Sequence, residues 1–179
     1  MTEIITPDCR LRESWAEVVA EFDAADSVMH GSGLWAFDTV DTTETGCSTV
    51  VAHLLREGDP SVPLPEDKVH CSYYWIVDGE AFVGYLALRH ALTPWLLEEG
   101  GHIGFSVRPA RRREGHARRA LALALVEAKD LGLDRVLLTC DEDNDASRLT
   151  IEGAGGVYED SRNGKRRYWI VADRSPAEE

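Results

Sequence analysis

Six arginines crowd into the twelve residues Arg108–Arg119 of a chain whose formal net charge is −13. Gly115 lies among them, and apolar residues at helical spacing predict a helix over Ala117–Gly132 directly afterwards. The first turn of a helix offers unpaired backbone N–H groups and the positive end of the helix dipole. An anion bound there gains hydrogen bonds and a favourable field together. The segment therefore predicts an anion site that suits a pyrophosphate.

The composition limits the classes of function. A length of 179 residues predicts one domain over residues 1–172, followed by a tail at 173–179. The 32 acidic side chains against 19 basic ones disfavour general nucleic-acid binding, which needs a broad positive potential, and favour cationic substrates. The four cysteines show no metal-ligand or redox spacing, which predicts reduced thiols, no metal and a cytoplasmic protein. Neither a secretory leader nor a membrane span is apparent, so we expect no membrane partner.

Hydrophobic periodicity predicts an α/β chain. The predicted helices are 11–23, 45–56, 117–132 and 145–152, and the predicted strands are 71–77, 81–89, 102–108, 135–140, a short one from 157, and 167–172. The pairs Asp78-Gly79 and Asn163-Gly164 predict hairpin turns. The run from His102 to Cys140 reads strand, helix, strand, which predicts a parallel βαβ unit.

Two short motifs lie around the second half of that unit. Residues 112–117, Arg-Arg-Glu-Gly-His-Ala, match the pattern Gln/Arg-x-x-Gly-x-Gly/Ala between a strand and a helix, and Asn144 follows the next strand. Because of these two motifs, the segment Gly101–Tyr158 resembles the cofactor-binding core of the GNAT superfamily of N-acetyltransferases. Further segments, among them Leu88-Arg89-His90 and Thr139-Cys140-Asp141, extend the resemblance over roughly residues 68–172, toward a bacterial subgroup of predicted acetyltransferases.

The resemblance implies a GNAT-like fold and an acyl donor. The fold would be a mixed, mostly antiparallel sheet with a central parallel βαβ cofactor-binding unit and flanking helices. The donor would be acetyl-CoA. The loop amides would hold its pyrophosphate, and its pantetheine arm would lie along the strand that contains Phe105–Val107, which would splay from the strand 135–140. The implied cofactor-binding residues are Phe105, Ser106, Val107, Arg112, Arg113, Glu114, Gly115, His116, Ala117, Asn144 and Ser147. Asn144 has an alternative role as the cap of the helix that follows it.

Acyl transfer from a thioester to an amine needs a proton acceptor and a donor to the developing oxyanion. Family geometry makes the Val107 N–H the oxyanion donor. His102 has a suitable intrinsic pKa for the base, and its alternative is a strand-end histidine with a structural hydrogen bond. Glu98 and Glu99 are alternative bases that would also attract a cationic amine, or ordinary surface charges.

The chain departs from the family at the leaving group. Many members have a tyrosine seven residues after the equivalent of Asn144, where this chain has Ile151. Tyr158, Tyr168 or Cys140 could replace that acid, or water could protonate the thiolate.

The acceptor side is assigned to residues 1–67, with the loop Met29–Trp35 beside the cleft. Trp35, Trp75 and Trp95 line that cleft or belong to the core. We therefore expect an acetyl-CoA-dependent N-acetyltransferase acting on a small-molecule or peptide amine, and a homodimer is compatible with the sequence. The alternatives are a non-catalytic acyl-CoA-binding module and a nucleic-acid-binding protein that uses Arg108–Arg119.

Overall fold

The computed structural model describes residues 1–173. The helices are α1 (Arg12–Ala24), α2 (Glu44–Glu57), α3 (His116–Asp130) and α4 (Asp145–Gly153). The strands are β1 (Thr2–Ile5), β2 (Cys71–Asp78), β3 (Ala81–Arg89), β4 (Ile103–Val107), β5 (Arg135–Asp141), β6 (Val157–Arg162) and β7 (Lys165–Val171). A π-helical turn, Leu96–Gly100, precedes β4. The tail predicted at 173–179 lies outside the described residues, apart from Asp173.

The predicted elements are confirmed with shifts of a few residues at their ends. Gly79 and Glu80 connect β2 to β3, one residue later than the predicted pair Asp78-Gly79, and Gly79 has the positive φ of 62° that such a turn requires. Asn163 and Gly164, with φ of 50° and 78°, connect β6 to β7 in the same way. The sequence did not predict β1, which is four residues long, the π-helical turn or the short 3₁₀ turns.

The strands form two sheets. The first has the order β1-β2-β3-β4 and the second has the order β5-β7-β6, with antiparallel neighbours in each. Strands β4 and β5, which α3 connects, therefore lie at facing edges of different sheets. They meet at one end, where the His102 N–H donates to the Leu137 carbonyl at 2.7 Å and the Leu137 N–H donates to His102 Nδ1 at 2.9 Å. The strand–helix–strand unit is present, and its two strands diverge beyond this junction.

A separate apolar core lies on each side of the strands. One contains the apolar face of α3 with residues of both sheets, including Leu121 of α3, Leu86 of β3 and Val136 of β5. The other holds α1 and α2 against the first sheet. Trp75 belongs to this second core, because it is 1% exposed and stacks on Trp15 with ring centroids 5.9 Å apart. Of the two interpretations of Trp75, the core residue is the right one. Within residues 1–173 no helix is long and apolar enough to cross a membrane.

The junction between β4 and β5 predicts a pH dependence of stability. Burial, with a smaller contribution from Arg89, lowers the pKa of His102 from 6.5 to about 4. The unfolded chain therefore takes up a proton below pH 6.5 that the folded chain refuses until about pH 4. This difference costs the wild type up to about 3 kcal/mol of stability as the pH falls through that range.

In His102→Asn, the amide oxygen can still accept the Leu137 N–H, but the group no longer titrates. We expect urea unfolding between pH 7 and pH 4 to show a stability advantage of the wild type that shrinks, or reverses, toward acid. Parallel pH curves for the two proteins would contradict a buried, neutral imidazole at the junction.

Candidate active site

A cavity of about 560 Å³ lies in the gap between β4 and β5. Its walls include Gly104 and Phe105 of β4, Thr139 and Cys140 of β5, and Asn144 at the start of α4. The gap opens away from the His102–Leu137 junction. The walls therefore combine the backbone of an unpaired strand edge with side chains from the facing strand.

The outer edge of β4 has free backbone groups. The Arg108 N–H donates to the Val83 carbonyl of β3 at 2.8 Å. Backbone groups alternate in direction along an antiparallel strand, so the N–H groups of Phe105 and Val107 point away from β3, toward the gap. The Val107 carbonyl accepts the Arg112 guanidinium at 3.1 Å, which leaves the Val107 N–H as a donor at this edge.

The loop between β4 and α3 leads to an open helix start. Gly115 is the N-terminal cap of α3 with φ of 86°, and Arg113 also has a positive φ of 67°. A Cβ placed on Gly115 would meet no atom within 4 Å, so the glycine is needed for its backbone conformation. The same open space lets a ligand approach the first-turn N–H groups of α3.

Three of the six arginine side chains bind other residues of the chain. Arg108 pairs with Glu21 at 2.6 Å, and Arg111 pairs with Glu114 at 2.6 Å and with Asp78 at 3.0 Å. Arg112 donates to the Val107 carbonyl, as described above. These pairs fix the loop against α1 and against the β2–β3 turn.

The side chains of the other three arginines remain available for a ligand. Within residues 1–173, the side chains of Arg113, Arg118 and Arg119 form no ion pair or hydrogen bond. His116, in contrast, is 5% exposed and lies between Thr2 Oγ1 at 2.9 Å and Glu114 at 3.2 Å. The His116 and Glu114 side chains therefore stabilise the helix start, and only their backbone groups are free for a ligand.

Asn144 and Ser147 both line the cavity. The Asn144 side-chain oxygen accepts the Ser147 N–H at 3.0 Å, so Asn144 caps α4. Within the described chain its amide nitrogen has no hydrogen-bond partner. Capping thus fixes the side chain and leaves a donor at the cavity wall.

The residues expected to move protons lie in different places. His102 is buried at the strand junction and is not among the residues lining the cavity, which favours the structural interpretation. Glu98 pairs with Arg162 at 2.7 Å outside the cavity, whereas Glu99 lines it. Tyr158 lies on β6, with β7 between it and β5, and its hydroxyl contacts Ser161 at 3.0 Å. Neither the Tyr158 nor the Glu98 side chain lines the cavity, so the cavity gives no support to the catalytic roles predicted for them.

The other two proposed acids also differ in position. Tyr168 is 1% exposed, and its hydroxyl donates to Glu152 at 3.1 Å. Cys140 lines the cavity, but burial raises the pKa of its thiol. A thiol with a raised pKa gives up its proton poorly, so neither residue is a good acid for the leaving group.

Sequence reasoning missed His30, which lines the cavity from the loop before α2. Its carbonyl accepts the Ser106 hydroxyl at 2.7 Å, and a Cβ on the next residue, Gly31, would collide with the Gly104 carbonyl. The loop is thus held tightly on β4. Partial burial, together with the nearby Lys165, lowers the pKa of His30, although Asp141 opposes the effect. The only signal in the sequence was a histidine next to Gly31-Ser32-Gly33 in a segment without periodicity.

Known proteins resemble this chain in family and in fold. The model of the acetyltransferase (GNAT) family matches residues 44–152. None of the curated proteins matches the sequence. RimL, a ribosomal L7/L12 alpha-N-protein acetyltransferase solved in complex with coenzyme A, is 14% identical with a TM-score of 0.67, over 97% of this chain and 96% of that one. Mycobacterium smegmatis RimJ, in complex with CoA-disulfide, is 19% identical with a TM-score of 0.67, over 98% and 84%.

A third solved structure is also similar to this chain. The microcin C7 self-immunity acetyltransferase MccE, in complex with acetyl-CoA and AMP, is 14% identical with a TM-score of 0.66, over 95% of this chain and 92% of that one. At such identities the likeness shows the fold alone. The family model, however, covers more than half of the chain, and its match agrees with the strand–loop–helix arrangement described above. The chain belongs to the GNAT acetyltransferase family.

Proposed function

We propose that the chain is an acetyl-CoA-dependent N-acetyltransferase that passes an acetyl group directly to an amine. The observation that carries this proposal is the gap between β4 and β5: a free strand edge on one side, and at its open end a helix start with unpaired arginines. The acyl donor supplies a thioester. The amine attacks the thioester carbonyl carbon directly, so the reaction needs no nucleophile on the protein.

The residues at the helix start fit a pyrophosphate. The space beside Gly115, at the N-terminal cap of α3, is open, and we assign the backbone N–H groups of 113–117 to the pyrophosphate there. Arg113, Arg118 and Arg119 are the arginines of the cluster left to pair with phosphate oxygens. Each such bond contributes about 1.5–3 kcal/mol where water is excluded and much less where it is not.

The edge of β4 and the start of α4 fit an extended, amide-bearing arm. Phe105 and Val107 direct N–H groups into the gap, and the Asn144 amide faces the same cavity. We assign the Val107 N–H, nearest the loop, to the developing oxyanion or to the arm beside it. Such a donor acts strongly because the strand holds it in place before the reaction begins.

His30 is the best proton acceptor in the cavity. Its lowered pKa keeps the ring neutral at pH 7, and within residues 1–173 neither ring nitrogen has a hydrogen-bond partner. The Glu99 carboxylate, which accepts the Asn163 amide at 3.1 Å, lies on the same cavity and would attract an ammonium group. We infer that Glu99 draws in the protonated amine and that His30 removes a proton before attack.

Solvent is the proposed proton source for the departing thiolate. The thiol of Cys140 is a poor acid, and the basicity of the leaving thiolate is low enough that help is not required. The presence of a free histidine beside the strand edge favours an enzyme over a non-catalytic acyl-CoA-binding module.

The acceptor is an amine, and two neighbours support different kinds. RimL is described as acting on a ribosomal protein, which supports a peptide amine, whereas the MccE complex contains AMP, which supports a small molecule. A nucleic-acid ligand is less well supported, because three of the six arginines are already used in contacts within the chain.

The anion site predicts a thermal shift with acetyl-CoA. At a hundred times its dissociation constant, the ligand should stabilise the wild type by about 2.7 kcal/mol, which raises Tm by about 5–11 °C. Gly115→Glu should lose this rise through bulk and charge. Gly132→Glu is the matched control, since Gly132 caps the other end of α3 with nearly the same φ, 87° against 86°. The control should keep the rise, and equimolar phosphate should produce none in any variant. An unchanged Tm of the wild type at saturating acetyl-CoA would refute the proposed site.

The proposed base predicts a kinetic effect confined to proton transfer. His30→Gln should lower kcat about 10²–10³-fold while the KM for acetyl-CoA stays the same. In the wild type, kcat/KM should rise with pH through a pKa below 6.5, because protonated His30 is inactive, and the variant should lack that rise. His53→Gln, on α2 outside the cavity, should retain the wild-type profile. A His30→Gln profile with the wild-type rise would assign the base elsewhere.

A further inference from the structure

Two tryptophan side chains at the cavity are left in contact with water. Trp35 is 64% exposed and Trp95 is 59% exposed, and both line the cavity between β4 and β5. Trp15 and Trp75, in contrast, are buried in the core at 0% and 1% exposure. Exposed apolar surface that borders a groove is a feature of ligand-binding sites, and an exposed tryptophan offers a large apolar face with a polar N–H.

Trp35 is held in place by the backbone that carries it. It lies in the short 3₁₀ turn Leu34–Ala36, which begins after Gly33. A Cβ on Gly33 would lie 2.5 Å from Leu54 and 2.8 Å from Tyr73, so only glycine lets the turn approach this closely. The Trp35 ring also contacts the Tyr73 ring, with centroids 6.4 Å apart and planes inclined by 60°.

Trp95 is held by the π-helical turn that follows it. Gly100 ends this turn, and a Cβ there would lie 2.8 Å from the Trp95 ring. The turn itself is fixed by three side chains from other strands: Arg167 donates to the Leu97 carbonyl at 2.9 Å, Thr139 to the Glu99 carbonyl at 2.5 Å, and Arg89 to the Gly100 carbonyl at 3.2 Å. Short π-helical segments occur frequently at functional sites. Trp95 therefore has a fixed backbone with its outer face free.

The charges around the cavity decide what these rings bind. A tryptophan face attracts either a cation or another flat ring. Lys165 pairs with Asp141, and the Arg89 guanidinium binds backbone carbonyls without a carboxylate partner. Within residues 1–173, Glu99 is the carboxylate at the cavity that pairs with no cation. It suffices for the ammonium that reacts, but a second cation would be repelled by Arg89, whose charge no carboxylate balances.

We infer that Trp35 and Trp95 bind a flat, unsaturated ring on the amine acceptor, so that the preferred substrates are arylalkylamines. This inference rests on the proposed acetyl transfer, because it assigns the non-reacting part of the acceptor. The ring stacks on the tryptophan faces while Glu99 receives the ammonium group. The ring can be carbocyclic or heteroaromatic, provided that the amino group stands on an alkyl chain and is protonated when it reaches Glu99.

Three amines separate ring stacking from its alternatives. 2-Phenylethylamine carries a flat ring, 2-cyclohexylethylamine has the same carbon skeleton without flatness, and 1,5-diaminopentane carries a second cation. Binding to the wild type saturated with coenzyme A is measured by titration calorimetry, and acetylation by thiol release from acetyl-CoA. We expect 2-phenylethylamine to bind and react about ten-fold better than either of the other two.

Variants then test which side chains are responsible. Trp35→Leu and Trp95→Leu should each reduce the preference for the flat ring over the cyclohexyl ring at least three-fold, and Trp35→Phe and Trp95→Phe should retain most of it. Val157→Ala, at an exposed apolar position on β6, is the control and should change nothing. The Tm shift with acetyl-CoA should persist in all variants, which shows that each one folds.

The outcomes distinguish this inference from the proposed function. Equal binding of the phenyl and cyclohexyl amines, or better binding of the diamine, would overturn the stacking inference even when acetyl-CoA binds and amines are acetylated. A flat-ring preference that survives both Trp→Leu variants would overturn the assignment to these residues. The absence of any acetyl-CoA effect on Tm would overturn the proposed function itself.

Discussion

The divergence of β4 from β5 is the constraint on which the rest of the site depends. It begins at His102, whose backbone N–H and Nδ1 both bond Leu137 and so close the two sheets at one end. A buried imidazole can accept from a strand N–H only while it is neutral, and burial lowers its pKa accordingly. Beyond this point β5 no longer pairs with β4. The free amides of the β4 edge and the cavity are both consequences of that separation.

The arginine cluster shows how an acidic chain builds a positive site. Arg108 and Arg111 bind Glu21, Asp78 and Glu114, and these pairs are partly exposed, so each adds little to stability. Their effect is to position the loop between β4 and α3, because they hold it against α1 and against the β2–β3 turn. The remaining arginines keep their charge for a ligand, next to N–H groups that α3 cannot use itself.

Local signals predicted most of the fold and the open start of α3, because both depend on neighbours in sequence. Hairpins follow from Asp78-Gly79 and Asn163-Gly164, and the helix start follows from Gly115. The rest depends on distant partners. Strand β1 exists because it pairs with β2 about seventy residues later, and the π-helical turn exists because three other strands donate to its carbonyls. Likewise, sequence cannot distinguish a histidine buried at a strand junction from one that lines a cavity, since both have the same intrinsic chemistry. The strand order β5-β7-β6, which removes Tyr158 from the site, is equally non-local.

The acyl donor and the amine acceptor of the proposed reaction would bind to different parts of the chain. In the proposed reaction, the donor would bind at β4, the start of α3 and the start of α4, mainly through backbone groups. The acceptor would bind at the His30–Trp35 loop and the π-helical turn, mainly through side chains. The close approach of Gly31 to Gly104 joins the two sides, because it fixes the acceptor loop on β4 where that strand pairs with β3, and the opposite edge of β4 faces the gap. Substitutions in the acceptor loop that spare Gly31 can therefore change which amine is accepted while the backbone geometry of the donor site stays the same.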